Sequence, residues 1–200
     1  MFNFLFFAMT HSISAAIRKA GVEDIESIMK IERLAFRSEI IESEKTFKER
    51  MEVFGDGFLV AEMETAGKKT IVGYISSELW EYSKDIPYEN FALNHCVLKT
   101  HKANGNELYV SSVAVDPYVR GNNIGKQLFA ELLKMVLIKY KLKSAILIVN
   151  DEWKTAFEMY YKSGFEETAR IPDFFPKNEE QEQVNRKIPQ GTGIIMRKIF

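Results

Sequence analysis

The residues best suited to chemistry in this 200-residue chain stand in one run, Arg120-Gly121-Asn122-Asn123-Ile124-Gly125-Lys126. Glycine and asparagine are the types that most readily take positive φ. Here they separate a strand pattern from a helix pattern. Leu108, Val110, Val113, Ala114 and Val115 read as a buried or half-buried strand. Asp116-Pro117 stops it, because proline donates no N–H and restricts the residue before it. Beyond the loop, Ile124, Leu128, Leu132 and Val136 lie beside Phe129, Leu133 and Leu137, two adjacent i, i+4 rows of one helix. Strand, permissive turn and helix N-terminus together aim free N–H groups and the helix dipole at an anion. That chemistry is phosphate binding. A P-loop is excluded, since position 120 is arginine and Lys126 is followed by Gln127. The dinucleotide fingerprint is excluded too, because Gly121 and Gly125 have no third glycine in step.

Composition bounds what surrounds this loop. A 200-residue chain with 46% hydrophobic content suits one domain with a substantial core. A net charge of −1 leaves no electrostatic footprint for nucleic acid or an anionic membrane. The single cysteine, Cys96, rules out an internal disulfide framework and fits a reducing, cytoplasmic setting. His11, His95 and His101 match no metal-ligand spacing, so no metal is expected. Met1–Met9 is apolar but lacks the basic start and cleavage site of a signal peptide. It is also too short to span a bilayer. Residues 1–14 therefore read as a hydrophobic N-terminal arm packing on its own domain or on a partner subunit of a homodimer, with an upstream start codon before a natural Met9 as the rival.

The elements that must position the loop follow from periodicity. Ala15–Lys19 reads as a strand, Val22–Phe36 as a helix with one apolar face, and Glu44–Phe54 as a more polar helix ended by Gly55. Phe58–Met63 and Thr70–Tyr82 read as a hairpin. Ser83–Asn106 has weak periodicity and reads as a loop insertion with at most a short helix. Ala145–Val149 is a continuous apolar run, as in a strand covered on both faces. Lys154–Ser163 is a helix stopped by Gly164. Phe165–Ile171 and Gly193–Ile199 are a last pair of strands, joined by a charged loop, Pro172–Thr192. This order predicts an α/β domain over residues 15–200, with a mixed sheet of about seven strands and helices on both faces.

Two motifs carry a family resemblance. Arg120 to Gly125 resembles the acetyl-coenzyme A loop of the GNAT N-acetyltransferases, R/Q-x-x-G-x-G/A, with Asn123 standing where that family usually has glycine. Ala156 to Phe165 resembles the family's A-x-x-L-Y-x-K-x-G-F. The resemblance extends over roughly residues 15–199 and implies the single-domain GNAT (acyl-CoA N-acyltransferase) fold, an acyltransferase activity and acetyl-coenzyme A as co-substrate. It implies that backbone groups of Val113, Ala114 and Val115 hold the pantetheine arm. It assigns the pyrophosphate to Arg120, Gly121, Asn122, Asn123, Ile124, Gly125 and Lys126, and places Tyr160 near the thiol. Trp153 stands where many members carry asparagine, with Asn150 the nearby candidate to replace it.

An amine attacks a thioester only as the free base, so the site must remove a proton, orient the nitrogen, stabilise an oxyanion and reprotonate a thiolate. The resemblance makes Tyr160 the general acid. For the base it leaves Tyr109 and Glu107 open. Glu78 and Glu81 are rivals that otherwise read as solvated edge residues. Asp173-Phe174-Phe175 falls where ribosomal-protein and other protein N-terminal acetyltransferases carry Asn-Tyr-Tyr, and their strand-borne base maps to Ile148. Both differences weaken peptide recognition. The acceptor is therefore a primary amine, either a protein N-terminus or a small polyamine or aralkylamine. It is expected among Phe36, Ile41, Tyr109, Phe174 and Phe175, with Glu179, Glu180 and Glu182 near the mouth. The alternative is a catalytically idle acetyl-coenzyme A sensor.

Overall fold

The computed structural model describes residues 15–175 and 191–200. In chain order the elements are β1 (Ala16–Lys19), α1 (Ile25–Ala35), α2 (Glu44–Phe54), β2 (Leu59–Thr65), β3 (Lys68–Trp80) and the single-turn α3 (Val97–Thr100). After them come β4 (Glu107–Val115), α4 (Ile124–Lys139), β5 (Ser144–Asn150), α5 (Lys154–Lys162), β6 (Glu166–Phe175) and β7 (Gly191–Ile199). The strands form one seven-stranded sheet in the order β1-β2-β3-β4-β5-β7-β6. Only β4 and β5 pair in parallel; every other neighbouring pair is antiparallel. This is the mixed α/β sheet that the sequence predicts.

Each face is covered because strand residues alternate. Leu59, Ala61, Ile75, Leu108, Ala145 and Leu147 pack beneath α4, whose Ile124, Leu128, Leu132 and Val136 are all buried. Phe58, Val60, Tyr74 and Ala114 face the other way, against Ile28 and Ile31 of α1 and Phe47 of α2. Ser43 caps α2 by accepting a hydrogen bond from the Thr46 N–H at 3.1 Å, as a serine at this position should.

Two features of the sheet make room for a site. Ser76 pairs with Ser112 but Ser77 pairs with Val110, so Ser111 is an extra residue in β4. That bulge resets the alternation. Val110 packs on the α4 face and so, beyond the bulge, do Val113 and Val115, while Ala114 turns to the α1–α2 face. The parallel ladder between β4 and β5 also stops at Val110 and Leu147, whereas β4 stays paired with β3 as far as Val115. The sheet therefore opens along the second half of β4.

The largest departure from the sequence reading is at the end of β6, beyond shifts of one to three residues at the ends of α1, β2 and β3. β6 does not end at Ile171 but continues to Phe175, with Asp173 at φ +56° forming a register shift that brings Phe175 opposite Gly191. β7 correspondingly starts at Gly191 rather than Gly193. Propensity missed this because a proline and a positive-φ residue sit inside the strand. The N-terminal arm 1–14 and the acidic run Glu179, Glu180 and Glu182 lie outside the described residues. Between residues 83 and 106 the chain makes a 3₁₀ turn at Tyr88–Phe91 and then α3. Among the described residues, no helix is long and apolar enough to cross a membrane.

Candidate functional site

The opening between β4 and β5 leads into a cleft of about 1210 Å³. Its walls are the Ser111–Val115 half of β4, Ile148 and Val149 of β5, the loop into α4, one side of α5, and the ends of α1, α2 and β6. Among the described residues, β4 beyond Val110 has no strand partner on the β5 side. Such an edge accepts an extended, amide-bearing chain as it would another strand.

At one end the cleft meets the N-terminus of α4. Gly121 at φ +86° and Asn123 at φ +59° both adopt the left-handed region, the conformations that the Gly and Asn content of the loop predicts. Asn123 precedes the helix without a side-chain capping bond. The first bond into the helix is donated by the Gln127 N–H to the Asn123 carbonyl at 2.9 Å. The N–H groups of Ile124, Gly125 and Lys126 thus have no partner within the helix. Arg120 and Lys126 stand on the same wall. Uncapped N–H groups, a helix dipole and two cations fit a pyrophosphate.

Of the residues singled out in the sequence, the cleft brings together Phe36, Tyr109, Val113, Ala114, Val115, Arg120, Gly121, Asn123, Ile124, Gly125, Lys126, Tyr160, Phe174 and Phe175. Tyr160 packs against Phe129 at 5.4 Å between ring centroids. Burial pushes its phenol well above the ordinary range, so it stays protonated at any working pH. Burial raises Tyr109 likewise. A phenol so held donates a hydrogen bond or fixes a water; it is a poor proton acceptor.

Glu107, Asn150, Asn122 and Ile41, expected in the site, do not line the cleft, and neither do the rival bases Glu78 and Glu81. Glu107 is fully buried, with its carboxylate 2.8 Å from Arg197 Nε and accepting a hydrogen bond from the Ser144 hydroxyl at 2.7 Å. It ties β4 to β5 and β7 rather than serving as a base. Asn150 uses its side-chain oxygen to accept the Glu152 N–H at 2.9 Å, fixing the turn into α5. Asn122 donates to the Val119 carbonyl at 2.8 Å and stiffens the loop. Ile41 packs on the core beneath α1 and α2. Glu78, which the sequence presents as a solvated edge residue, is completely buried.

At the other end of the cleft is a polar cluster that motif reading did not find. Glu32 of α1, Glu42 ahead of α2, and Arg50 of α2 line the wall. Arg50, 1% exposed, is ion-paired to Glu42 and donates from Nε to Glu78 at 2.8 Å. Glu78 also meets His95 Nε2 at 2.8 Å and accepts from the Thr100 hydroxyl at 2.8 Å. Burial works to raise the Glu78 carboxyl, but the hydrogen bond with His95 and the Arg50 charge prevail and hold it down at about 2. Glu32 accepts from the Tyr74 hydroxyl and, at 3.0 Å, from the Glu42 N–H. Here burial wins and pushes the carboxyl up to about 7, against the Tyr74 hydrogen bond and the Arg50 charge. A signal for both existed. Glu32 follows Ile28 by four positions, and Arg50 lies between Phe47 and Phe54, so each interrupts an apolar stripe with a charge. Trp153 joins the cleft as well, 5.7 Å from Phe36 and 5.2 Å from Phe175 between ring centroids, linking α1 to β6.

Comparison with known proteins agrees with this fold. The acetyltransferase (GNAT) domain model matches residues 96–174, the stretch from α3 to the end of β6. An uncharacterized N-acetyltransferase of Bacillus subtilis (strain 168), YkwB, is 26% identical over 129 residues, which are 62% of this chain and 55% of that protein. The match thus spans about half of that relative's length. The loading GNATL domain of CurA from Lyngbya majuscula superposes with a TM-score of 0.71 at 14% identity, covering 92% of this chain and 97% of that one. The ribosomal-protein-alanine N-acetyltransferase of Brucella melitensis superposes at 0.61 with 23% identity, covering 92% and 99%.

Proposed function

We propose that this chain, whose residues 96–174 match the acetyltransferase (GNAT) domain model, is a GNAT acetyltransferase that moves the acetyl group of acetyl-coenzyme A to a primary amine by direct attack on the thioester. The observation that carries this reading is the opening of the sheet along Ser111–Val115, which runs to the uncapped N-terminus of α4. Acetyl-coenzyme A is the substrate whose parts suit that run. Its pyrophosphate meets the N–H groups from Gly121 to Lys126. Its pantetheine amides pair with backbone groups of Val113 and Val115 on the open edge. Its thioester then comes to the bulge, where Tyr160 faces the leaving sulfur. A phenol that burial keeps protonated holds the proton a thiolate needs on departure.

The acceptor enters from the opposite end, past Phe36, Trp153, Phe174 and Tyr109 and toward the carboxylates of Glu32 and Glu42. Aromatic walls around acidic groups select a cationic nitrogen beside an apolar or aromatic group. An aralkylamine or a peptide N-terminus with an apolar first residue meets that description. The test is free-thiol release with acetyl-coenzyme A against aralkylamines, polyamines and Met-initiated peptides, with products confirmed by mass. Turnover of an apolar primary amine is expected. Tight donor binding with silence across all three panels would instead make the protein a sensor of the donor.

A further inference from the structure

We infer that Glu32 takes the acceptor amine's proton, through a hydrogen-bonded relay formed by the hydroxyls of Ser112 and Tyr74; this rests on the acyl-transfer reading above. Ser112 sits on β4 one residue past the bulge, half-exposed, on the wall of the cleft where the sheet opens. Its hydroxyl is 2.9 Å from that of Tyr74, and the Tyr74 hydroxyl donates to Glu32 Oε2. The direction of this chain follows from its end. An ionised Glu32 only accepts, so it claims the single hydrogen of Tyr74. The Tyr74 oxygen then accepts from Ser112, and the lone pairs of Ser112 are left facing the cleft. A proton arriving at Ser112 has a hydrogen-bonded path through Tyr74 to Glu32.

The step balances. As the amine nitrogen bonds to the thioester carbon, its N–H bond breaks and Ser112 Oγ gains that proton. Ser112 passes its own hydroxyl proton to Tyr74, and Tyr74 passes its own to the Glu32 carboxylate. The net change is one proton from nitrogen to Glu32. The leaving thiolate takes a proton from Tyr160. Glu32 returns its proton to solvent and Tyr160 is reprotonated from solvent, so amine and thioester yield amide and thiol.

The groups around Glu32 suit an acceptor rather than a structural ion. Arg50 comes from α2, Tyr74 from β3, and Ser112 from β4 behind it. The Glu42 N–H comes from the segment before α2, with the Glu42 carboxylate itself engaged by Arg50, and Glu39 lies on the cleft wall nearby. Among the described residues the Arg50 guanidinium beside Glu32 is bonded to Glu42 and Glu78 instead, and burial leaves the Glu32 carboxyl at about 7, where proton acceptance near neutral pH is most effective. Tyr74 is held well above its ordinary range by burial and by the Glu32 charge, so it relays a proton without ionising.

The experiment compares wild type with Glu32→Gln, Tyr74→Phe and Ser112→Ala, using acetyl-coenzyme A with two primary amines of different basicity. Gln fits the site: its oxygen accepts the Glu42 N–H, and its NH₂ donates to Tyr74, which turns its hydrogen to Ser112. For wild type, kcat/KM should rise through an apparent pKa near 7 that is the same for both amines. Each variant should lose about 10²- to 10⁴-fold in kcat, the range for a displaced base, and Glu32→Gln should lose the shared limb. Calorimetric affinity for the donor and the thermal midpoint confirm that the variants are folded and charged. Folded, donor-binding variants that keep wild-type kcat, or retain the limb, overturn the relay alone. A wild type that binds donor but turns over neither amine overturns the acyl-transfer reading, and the relay with it.

Discussion

From Val113 to Lys126 the wall of the cleft is one run of chain, and the groups that it offers are mostly main-chain: an open strand edge, two left-handed residues and the first N–H groups of a helix. Across the opening the wall is assembled from side chains on separate elements. Glu32 comes from α1, Arg50 from α2 and Phe174 from β6, with Tyr74 and Glu78 of β3 and His95 from the segment before α3 hydrogen-bonded behind that wall. The first end depends on where backbone goes, so it tolerates most side chains and fails on bulk. The second depends on which charges and rings meet, so it fails when one partner is removed. One end is shaped by conformation and the other by complementarity.

The largest effect that separates the two should come from Gly125→Trp. A Cβ at Gly125 would lie 3.6 Å from Val115 Cγ2, an ordinary contact, so the backbone accepts a side chain there. An indole, however, fills the cleft beside the free N–H groups. Calorimetry should find donor binding eliminated in Gly125→Trp and retained in Gly125→Ala, with similar thermal midpoints. Undiminished affinity in a folded Gly125→Trp protein would remove the phosphate from this loop.

At the opposite end, Arg50→Met should cost stability. It leaves Glu42 and Glu78 buried without their cation, and losing one partner of a buried pair costs about 3–5 kcal/mol. Urea denaturation at pH 7 should register that loss. The pH dependence has a definite sign. The Glu78 carboxyl is depressed in the fold to about 2. Its contribution is therefore present above the unfolded value, near 4.5, and lost as pH falls toward 2. Glu32 runs the other way: raised to about 7, it favours the fold below the unfolded value and loses that contribution as pH climbs through 7. Wild type should lose stability on acidification from 4.5 to 2, and Arg50→Met should lose less, having forfeited most of that contribution already. An unaltered acid limb in the variant would mean that Arg50 does not hold Glu78 down.

The same contrast explains what could be read in advance. Gly121 and Asn123 announce their left-handed conformations by residue type, so the shape of the loop into α4 was legible in the sequence. α2 was legible to the residue, since Ser43 and Gly55 bracket it. The bulge at Ser111 was not, because nothing in Leu-Tyr-Val-Ser-Ser-Val-Ala-Val says which residue is the extra one until β3 sets the register. Glu107 misleads for a related reason. At the start of a strand it looks available, but its partner Arg197 arrives from β7, ninety positions later. Glu32 and Arg50 were marked by charge on apolar stripes. Their meeting place depends on α1, α2 and β3 packing together, which periodicity within one helix does not encode.

The smallest effect should test whether the acceptor end selects by ring contacts. Phe174 is half-buried on the cleft wall, its ring 5.0 Å from that of Phe175 and edge-on to it. It also packs where a side chain at position 193 would stand, which is why glycine occurs there: a Cβ would come within 2.6 Å of Ile148 and 3.1 Å of Phe174. Phe174→Ala therefore empties space next to the acceptor without touching Glu32, Tyr74 or the α4 loop. An aromatic contact contributes about 0.5–1.5 kcal/mol beyond simple burial. An aralkylamine should accordingly lose about 2- to 10-fold in kcat/KM, mostly through KM, with donor affinity unchanged. A polyamine, which offers Phe174 no ring, should be nearly indifferent. The informative quantity is the ratio of the two amines, because a general loosening of the fold lowers both. Equal losses for both would mean that Phe174 supports the cleft without choosing what enters it, and selection would then fall to the carboxylates alone.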